Sequence, residues 1–116
     1  MKKYLFVLRD APHNGSHVQE MLDVILITAA FDQSVSLLLL DDAVFQLKSN
    51  QQAEKYTYKE TAAIFKALEI YDVHDIYTEI ESLQERGLKP VDLLLPVKEL
   101  YRKDIAALMA EYEVIF

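Results

Sequence analysis

The first thirty-one residues contain the pattern that most restricts the fold of this chain, an apolar run followed by a loop and an amphipathic segment. Lys3 to Leu8 reads Lys-Tyr-Leu-Phe-Val-Leu, which predicts a strand covered on both faces. The loop that follows contains Gly15, one of two glycines in the sequence. From His17 to Phe31, apolar residues return at helical spacing. A strand, a loop and a helix in this order are typical of the opening unit of a parallel α/β sheet.

The rest of the sequence repeats this alternation of strand and helix. The run Leu37-Leu38-Leu39-Leu40 contains no polar residue, which predicts a central strand, and residues 42–47 predict a loop or a short helical turn. We predict strands at Lys3–Leu8, Ser34–Leu40, Asp75–Thr78, Val91–Leu95 and Val114–Phe116. We predict helices at His17–Phe31, from the capping box Thr57–Glu60 to Ile70, at Glu79–Arg86 and at Leu100–Tyr112. Gly87 is expected to close the third of these helices. This order predicts one domain, residues 1–116, with a three-layer α/β/α fold and a five-stranded parallel sheet.

The formal net charge of −7 limits the classes of partner. An acidic surface repels phosphates, and no run of Lys or Arg reverses the sign locally, so we expect no direct binding of nucleic acid. No apolar window approaches the roughly 20 residues that cross a bilayer, and the apolar start is too short for a signal peptide, so we expect a soluble, cytoplasmic protein without membrane contact. The 116 residues contain no cysteine, which excludes cysteine chemistry and thiolate metal sites on this chain.

The loop after the first strand is a weak candidate for ligand binding. It contains a single glycine, Gly15, and an acid, Asp10, whereas phosphate and dinucleotide loops need several glycines for close approach of the backbone. We favour a plain strand-to-helix turn. A small flavodoxin-like module that binds a nucleotide or FMN stays as an alternative.

Acidic and histidine residues also give no convincing chemical site. Asp10, Asp41 and Asp42 follow two strands, where carboxylates can bind Mg²⁺, but turn-forming aspartates are the simpler interpretation. His13 and His17 are four residues apart, which is a zinc-ligand spacing, but the helix begins between them and no third ligand is near in sequence. We therefore predict no catalytic residue, no cofactor and no metal site.

Large apolar side chains occur where a single small core does not need them. The second half of the first predicted helix is apolar on nearly all sides, although a surface helix normally has one polar face. Surplus apolar surface on a small soluble protein typically marks subunit contacts, either with other proteins or with a second copy of the chain. The predicted interface residues are Val24, Ile27, Phe31, Val44, Phe45, Leu47 and Phe116.

Several short motifs follow one another in register along the whole chain. They are Ala11-Pro12-His13 with Gly15 after the first strand, Asp42-Ala43-Val44-Phe45-Gln46-Leu47 after the second, Leu83-Gln84-Glu85-Arg86-Gly87-Leu88 at a helix end, and Tyr112-Glu113-Val114-Ile115 at the C-terminus. In these motifs the chain resembles the TusC/DsrF family of bacterial sulfur-relay subunits, with Pro12, His13 and Gly15 as the family loop. Ala43 stands where the family usually has Gly.

This resemblance implies a DsrE/F/H-like fold and assembly into a heterohexamer with TusB/DsrH-like and TusD/DsrE-like subunits. Such a complex passes persulfide sulfur from a TusA-like donor to a TusE-like acceptor, toward 2-thiouridine at the tRNA wobble position. In DsrF-type counterparts the sulfur serves sulfur oxidation instead, which stays as an alternative. The active cysteine belongs to the TusD/DsrE-like subunit, and Glu79 is the matching position here. Because a carboxylate cannot carry a persulfide, the resemblance implies a non-catalytic, structural subunit.

Overall fold

The computed structural model describes residues 3–9, 16–31, 34–47, 66–71, 73, 75–93 and 96–116. Strands are β1 (Lys3–Leu8), β2 (Ser34–Leu39), β3 (Ile76–Glu79), β4 (Lys98–Leu100) and β5 (Val114–Ile115). The α-helices are α1 (Ser16–Ala30), α2 (described over residues 66–70), α3 (Ile80–Glu85) and α4 (Ile105–Met109). Short 3₁₀ helices lie at Asp41–Leu47, Pro90–Asp92 and Arg102–Asp104.

The five strands form one parallel sheet in the order β4-β3-β2-β1-β5. The chain adds β2, β3 and β4 in one direction and then crosses the whole sheet to place β5 beside β1. Right-handed crossovers place the helices of the first three connections on one face and α4 on the other. This confirms the predicted α/β/α fold with a five-stranded parallel sheet.

Alternate residues of the central strands pack into two separate hydrophobic clusters, one on each face of the sheet. Phe6, Leu37 and Leu39 pack with α1, whereas Leu5 and Leu38 pack in the cluster that contains Leu108 of α4. All six side chains are at least nine-tenths buried. Burial on both faces is the physical reason why the strands read as continuous apolar runs rather than as alternating ones.

The fourth strand does not lie where the sequence pattern predicted it. We predicted Val91–Leu95 because it is apolar, but Val91 lies in a 3₁₀ helix with 84% of its surface exposed, and Leu94 and Leu95 lie outside the described residues. Lys98–Leu100 pairs with β3 instead, and the Lys98 ammonium bonds the Asp75 carboxylate. β4 is an edge strand, where charged residues are common, so an apolar run is a poor marker for it.

The helix boundaries also differ from the prediction at the C-terminal end of the chain. Leu100 belongs to β4, and α4 begins only at Ile105 after a 3₁₀ turn and ends at Met109, so the predicted helix Leu100–Tyr112 was too long at both ends. At the end of α3, Gly87 has φ +68 and Leu88 N–H donates to the Leu83 carbonyl, which confirms the predicted glycine-closed helix end. The capping box Thr57–Glu60 lies outside the described residues.

Within the part of the chain that the structure describes, no helix has the length and apolar character needed to cross a membrane. The longest helix in these described ranges, α1, has 15 residues.

Thr78 provides a test of the buried sheet. Its side chain is fully buried, and its hydroxyl has no hydrogen-bond partner among the described residues. Thr78→Val keeps the shape and removes this desolvated hydroxyl, so we expect the free energy of unfolding to rise by about 1 kcal/mol. Urea denaturation followed by circular dichroism measures the change.

The matched control for this substitution is Ser82→Ala. The Ser82 side chain is also fully buried, but its hydroxyl donates one hydrogen bond and accepts another. We expect this variant to lose about 1–2 kcal/mol, because two polar groups lose their partner. A Thr78→Val protein that is destabilised as much as Ser82→Ala would contradict the assignment of Thr78 as unpaired.

Candidate functional site

Glu79 is the last residue of β3 and lies at the carboxyl edge of the sheet. The residue after it begins α3, and β4 runs alongside, so three elements meet at this carboxylate. Only 4% of the Glu79 surface is exposed, although a glutamate is seldom buried to this degree unless it is paired. Ligands of parallel α/β sheets bind at this edge, which makes Glu79 and its contacts the candidate functional site.

Both carboxylate oxygens of Glu79 accept hydrogen bonds from Arg102. Arg102 Nη2 donates to Oε1 at 2.9 Å, and Nε donates to Oε2 at 3.2 Å, which is the bidentate geometry that favours arginine over lysine. Ser82 Oγ also donates to Oε1 at 2.6 Å. The buried negative charge is therefore balanced by a cation that is itself about half exposed.

These contacts determine the protonation of the pair. The hydrogen bonds from Arg102 lower the pKa of Glu79, the hydroxyl of Ser82 acts in the same direction, and burial opposes them. The same pairing raises the pKa of Arg102 above its ordinary value. Glu79 is accordingly an anion at neutral pH, and it is not a carboxylic acid available for proton donation.

Ser82 connects this pair to the end of β2. Its Oγ accepts a hydrogen bond from the backbone N–H of Asp41 at 2.9 Å, and Asp41 has a left-handed backbone with φ of 51. Aspartate tolerates this conformation better than most residues, and here it turns the chain from β2 into the 3₁₀ helix. The turn after β2 and the start of α3 are thus fixed to the same hydroxyl.

Arg86 adds a second connection between the same two elements. Its Nε donates to the Asp42 carboxylate at 3.0 Å, and its Nη1 donates to the backbone carbonyl of Ser82 at 3.2 Å. On the other side, the Arg102 backbone N–H donates to Glu81 at 2.9 Å, and its guanidinium lies 3.3 Å from Glu85. We call Glu79, Ser82, Arg86 and Arg102 the carboxylate network.

The carboxylate network holds the loops of β2, β3 and β4 together. The Glu79 oxygens and the Ser82 hydroxyl are occupied by neighbouring groups, so they present no free base or nucleophile. Among the residues that the structure describes, no group of three His, Asp or Glu could hold a metal ion. Asp41 and Asp42, which we interpreted as turn formers, begin the 3₁₀ helix after β2 and pair with Arg9 and Arg86. Asp10 is not among the described residues.

Three of the predicted interface residues lie on one line of the outer face of α1. Val24, Ile27 and the adjoining Phe31 are 48%, 58% and 72% exposed, and we call them the α1 stripe. The opposite face of α1 carries Leu22 and Ile25, which are fully buried against the sheet. The exposure of the α1 stripe is not required by packing within the chain.

The other predicted interface residues are differently placed. Val44 is fully buried in the core, so it offers no surface to a partner, and Phe45 is half-buried against that core. Phe116 is 55% exposed, but its ring stacks on Phe6 and Tyr4 at centroid distances of 4.9 and 6.2 Å. Leu47 ends the 3₁₀ helix, and its side chain lies outside the described part. We therefore no longer assign Val44 to the predicted subunit interface.

The predicted family loop, Pro12, His13 and Gly15, lies outside the described residues, and so do the side chain of His17 and all of His74. The loop and any histidine contribution to a site stay predictions.

Sequence reasoning selected Glu79 but missed its partners. The only local signal was Ser82, which is three residues after Glu79 at the start of a helix and can therefore reach back to it. Arg102 is 23 residues away along the chain and reaches Glu79 only because β4 pairs with β3. Since the strand at Lys98–Leu100 was not predicted, neither was this contact.

Glu79→Gln tests the electrostatic part of the carboxylate network. The amide keeps the shape of the side chain but has no negative charge and cannot accept both hydrogen bonds from the Arg102 guanidinium. We therefore expect a loss of about 1–3 kcal/mol in the free energy of unfolding at neutral pH. Because the pKa of Glu79 is lower in the folded state than its ordinary value of 4.5, the stabilisation is complete above that pH and is lost as the pH falls through the folded value. Urea denaturation at a series of pH values measures both effects.

The stability difference between the two proteins should be constant between about pH 6 and 8 and should shrink below about pH 4.5. Glu85→Gln is the control, since this exposed carboxylate contacts Arg102 at 3.3 Å and should change stability very little. An equal loss in both variants, or a difference that grows in acid, would contradict the role assigned to Glu79.

Proteins similar to this chain include TusC homologs and a DsrF protein. A protein TusC homolog from Aliivibrio fischeri is 33% identical over 115 residues, covering 99% of this chain and 98% of that protein. A protein TusC homolog from Vibrio vulnificus is 35% identical over 98 residues, covering 84% and 83%. The intracellular sulfur oxidation protein DsrF from Allochromatium vinosum is 39% identical over 94 residues, covering 81% of this chain and 69% of that protein.

Solved structures share the fold at much lower identity. The ychN protein from E. coli superposes with a TM-score of 0.82 at 18% identity, covering 100% of this chain and 98% of that one. The protein of unknown function MTH1491 from Methanobacterium thermoautotrophicum gives a TM-score of 0.72 at 14% identity, covering 99% and 98%. The DsrE/DsrF-like family model matches residues 2–116, which with the relatives above confirms the resemblance to TusC and DsrF. This chain belongs to the DsrE/DsrF-like family.

Proposed function

We propose that this chain is a non-catalytic subunit of a TusBCD/DsrEFH-type sulfur-relay complex, which passes persulfide sulfur toward 2-thiolation of the tRNA wobble uridine. The observation that carries the proposal is the full-length similarity to a TusC homolog in a chain that contains no cysteine. A persulfide needs a cysteine sulfur, so the sulfur atom has to be carried by another subunit.

The geometry at Glu79 supports a structural role. This position, which the family resemblance matches to the active cysteine of the sibling subunit, holds an ionised carboxylate with its oxygens bound to Arg102 and Ser82. A fixed negative charge would disfavour a neighbouring thiolate, and the guanidinium beside it is already paired with the carboxylates of Glu79 and Glu85. We infer that Glu79 keeps the loops of this subunit in place and takes no part in sulfur transfer.

The partners in this proposal are TusB/DsrH-like and TusD/DsrE-like subunits, with TusA- and TusE-like carriers meeting the complex through them. The exposed apolar residues of this chain support an assembly, because Val24, Ile27 and Phe31 are more exposed than a stable monomer requires. The net charge of −7 supports protein partners rather than direct contact with tRNA. We propose a cytoplasmic location for the complex.

A role in sulfur oxidation is the second candidate, and the relative named DsrF favours it. The TusC homolog from Aliivibrio fischeri is matched over nearly its whole length, however, whereas 69% of the DsrF protein is matched. This difference in coverage supports the thiolation role as the first choice.

Co-expression with the DsrE-like and DsrH-like subunits of the same organism tests the assembly. We expect a complex of fixed stoichiometry in multi-angle light scattering. After the complex is loaded with persulfide from a labelled donor, intact mass spectrometry without reductant should find the added sulfur on the DsrE-like subunit and none on this chain. Absence of a complex, or sulfur on this chain, would contradict the proposal.

Deletion of the gene tests the pathway. We expect 2-thiouridine to disappear from hydrolysed tRNA, as measured by liquid chromatography and mass spectrometry, and to return on complementation with the wild-type gene. Normal 2-thiouridine together with impaired oxidation of stored sulfur would support the DsrF-type role and reject the thiolation role.

A further inference from the structure

We propose that the α1 stripe is a docking surface for a different protein whose contacting face is apolar at its centre and bordered by Lys or Arg, and not for a second copy of this chain. The inference rests on the proposed function in that the partner is taken to be another subunit of the complex. It goes further by assigning the surface, the chemistry of its counterpart and the sign of the charge around it.

The geometry of α1 separates an inner face from an outer one. Leu22, Ile25 and Ala29 are at least 95% buried and attach the helix to the sheet. Val24 and Ile27 point the other way, and Phe31 continues the row, with spacings of three and four residues. Single exposed apolar residues are normal on a soluble protein, but a row with these exposures is a continuous surface that water solvates poorly.

The topology extends this surface beyond α1. Leu68 of α2 packs into the same hydrophobic cluster as α1, which places both helices on one face of the sheet. Both helices run back from the carboxyl edge of the sheet toward its amino edge, so the end of α2 lies at the same edge as Phe31. Ile70 and Tyr71, at this end of α2, are 80% and 46% exposed. A stable interface needs on the order of 800 Å² from each partner, which three side chains cannot supply without such an extension.

The charge around the α1 stripe determines which partner fits. Glu20 precedes Val24 by one helical turn, and it is exposed. Residues 16–31 contain no Lys or Arg. On the described part of α2, Lys66 and Glu69 are both exposed and their charges cancel, so among the described residues of these two helices the negative sign comes from α1.

A second copy of the chain would bring the same acidic helix to the contact. Two surfaces of like sign repel, and each complete chain adds a net charge of −7. A counterpart with cations at its rim would be attracted instead, and it would dock faster at low ionic strength. Charge complementarity thus selects a different, basic-rimmed protein over self-association.

The test uses the full-length chain and the separately purified DsrE-like and DsrH-like subunits, with calorimetry and sedimentation velocity as the measurements. Ile27→Glu places a charge in the α1 stripe without touching the core, and we expect Kd to rise by at least about 30-fold, the size of a hot-spot substitution. Ile115→Glu is the matched control, because Ile115 is 45% exposed and aligns with Leu5, whose side chain packs on the sheet face opposite to α1. It should leave Kd unchanged.

Glu20→Lys tests the charge. We expect Kd to rise by roughly 3- to 10-fold at low salt, and the difference from wild type to vanish as NaCl is raised from about 50 to 500 mM. An unchanged or lower Kd in this variant would contradict the inference that the partner has Lys or Arg around its apolar contact.

The remaining outcomes distinguish the failure of this surface from the failure of the proposed function. If the wild-type complex forms and Ile27→Glu binds as tightly as wild type, the surface assignment is wrong and the proposed function stands. If the wild-type chain binds neither subunit, the proposed function is wrong. If the isolated chain forms a dimer that Ile27→Glu dissociates, the occupant is a second copy and this inference is overturned.

Discussion

The structure depends on covering both faces of a five-stranded parallel sheet with the few helices that a chain of 116 residues can supply. Three connections cover one face, and α4, a helix of five residues, contributes Leu108 to the cluster on the other. The central strands are therefore almost entirely apolar, with Leu37, Leu38 and Leu39 fully buried in succession. Because a parallel sheet of this kind cannot leave either face in water, the long return from β4 to β5 is required to carry α4 across the second face.

At the end of β3, the carboxyl edge of this sheet is occupied by charged groups of the chain itself. In many parallel sheets this edge is open and binds a ligand. Here Glu79 ends β3 as a buried anion, and Arg102 and Ser82 occupy its oxygens. Breaking a buried pair by removing one partner is costly, because the remaining charge stays desolvated. The arrangement therefore favours fixed loops over ligand exchange.

The sequence predicted those parts of the structure that follow from local hydrophobic pattern. β1, β2 and α1 lie close to their predicted positions because their burial is strong and regular. β4 was misplaced, since an edge strand with Lys98 and Glu99 carries no apolar signature and depends on pairing with β3. The error had a direct consequence for the site: Arg102 reaches Glu79 through that pairing, so the contact was beyond sequence reasoning even though Glu79 had been selected. Val44 was assigned to a surface because apolarity alone does not distinguish a core residue from an interface residue.

The carboxylate network at the end of β3 and the exposed face of α1 are consistent with each other. A subunit that binds a ligand at its strand ends needs donors and acceptors without internal partners, and the carboxylate network uses those of Glu79 and Ser82 internally. A subunit that acts through contacts with other proteins needs apolar surface outside its core, and the outer row of α1 supplies it. Rigid loops also suit the second role, because a surface that is already ordered loses less entropy when it docks. Both features fit the proposed role, in which this chain positions a reactive subunit and does not carry the sulfur itself.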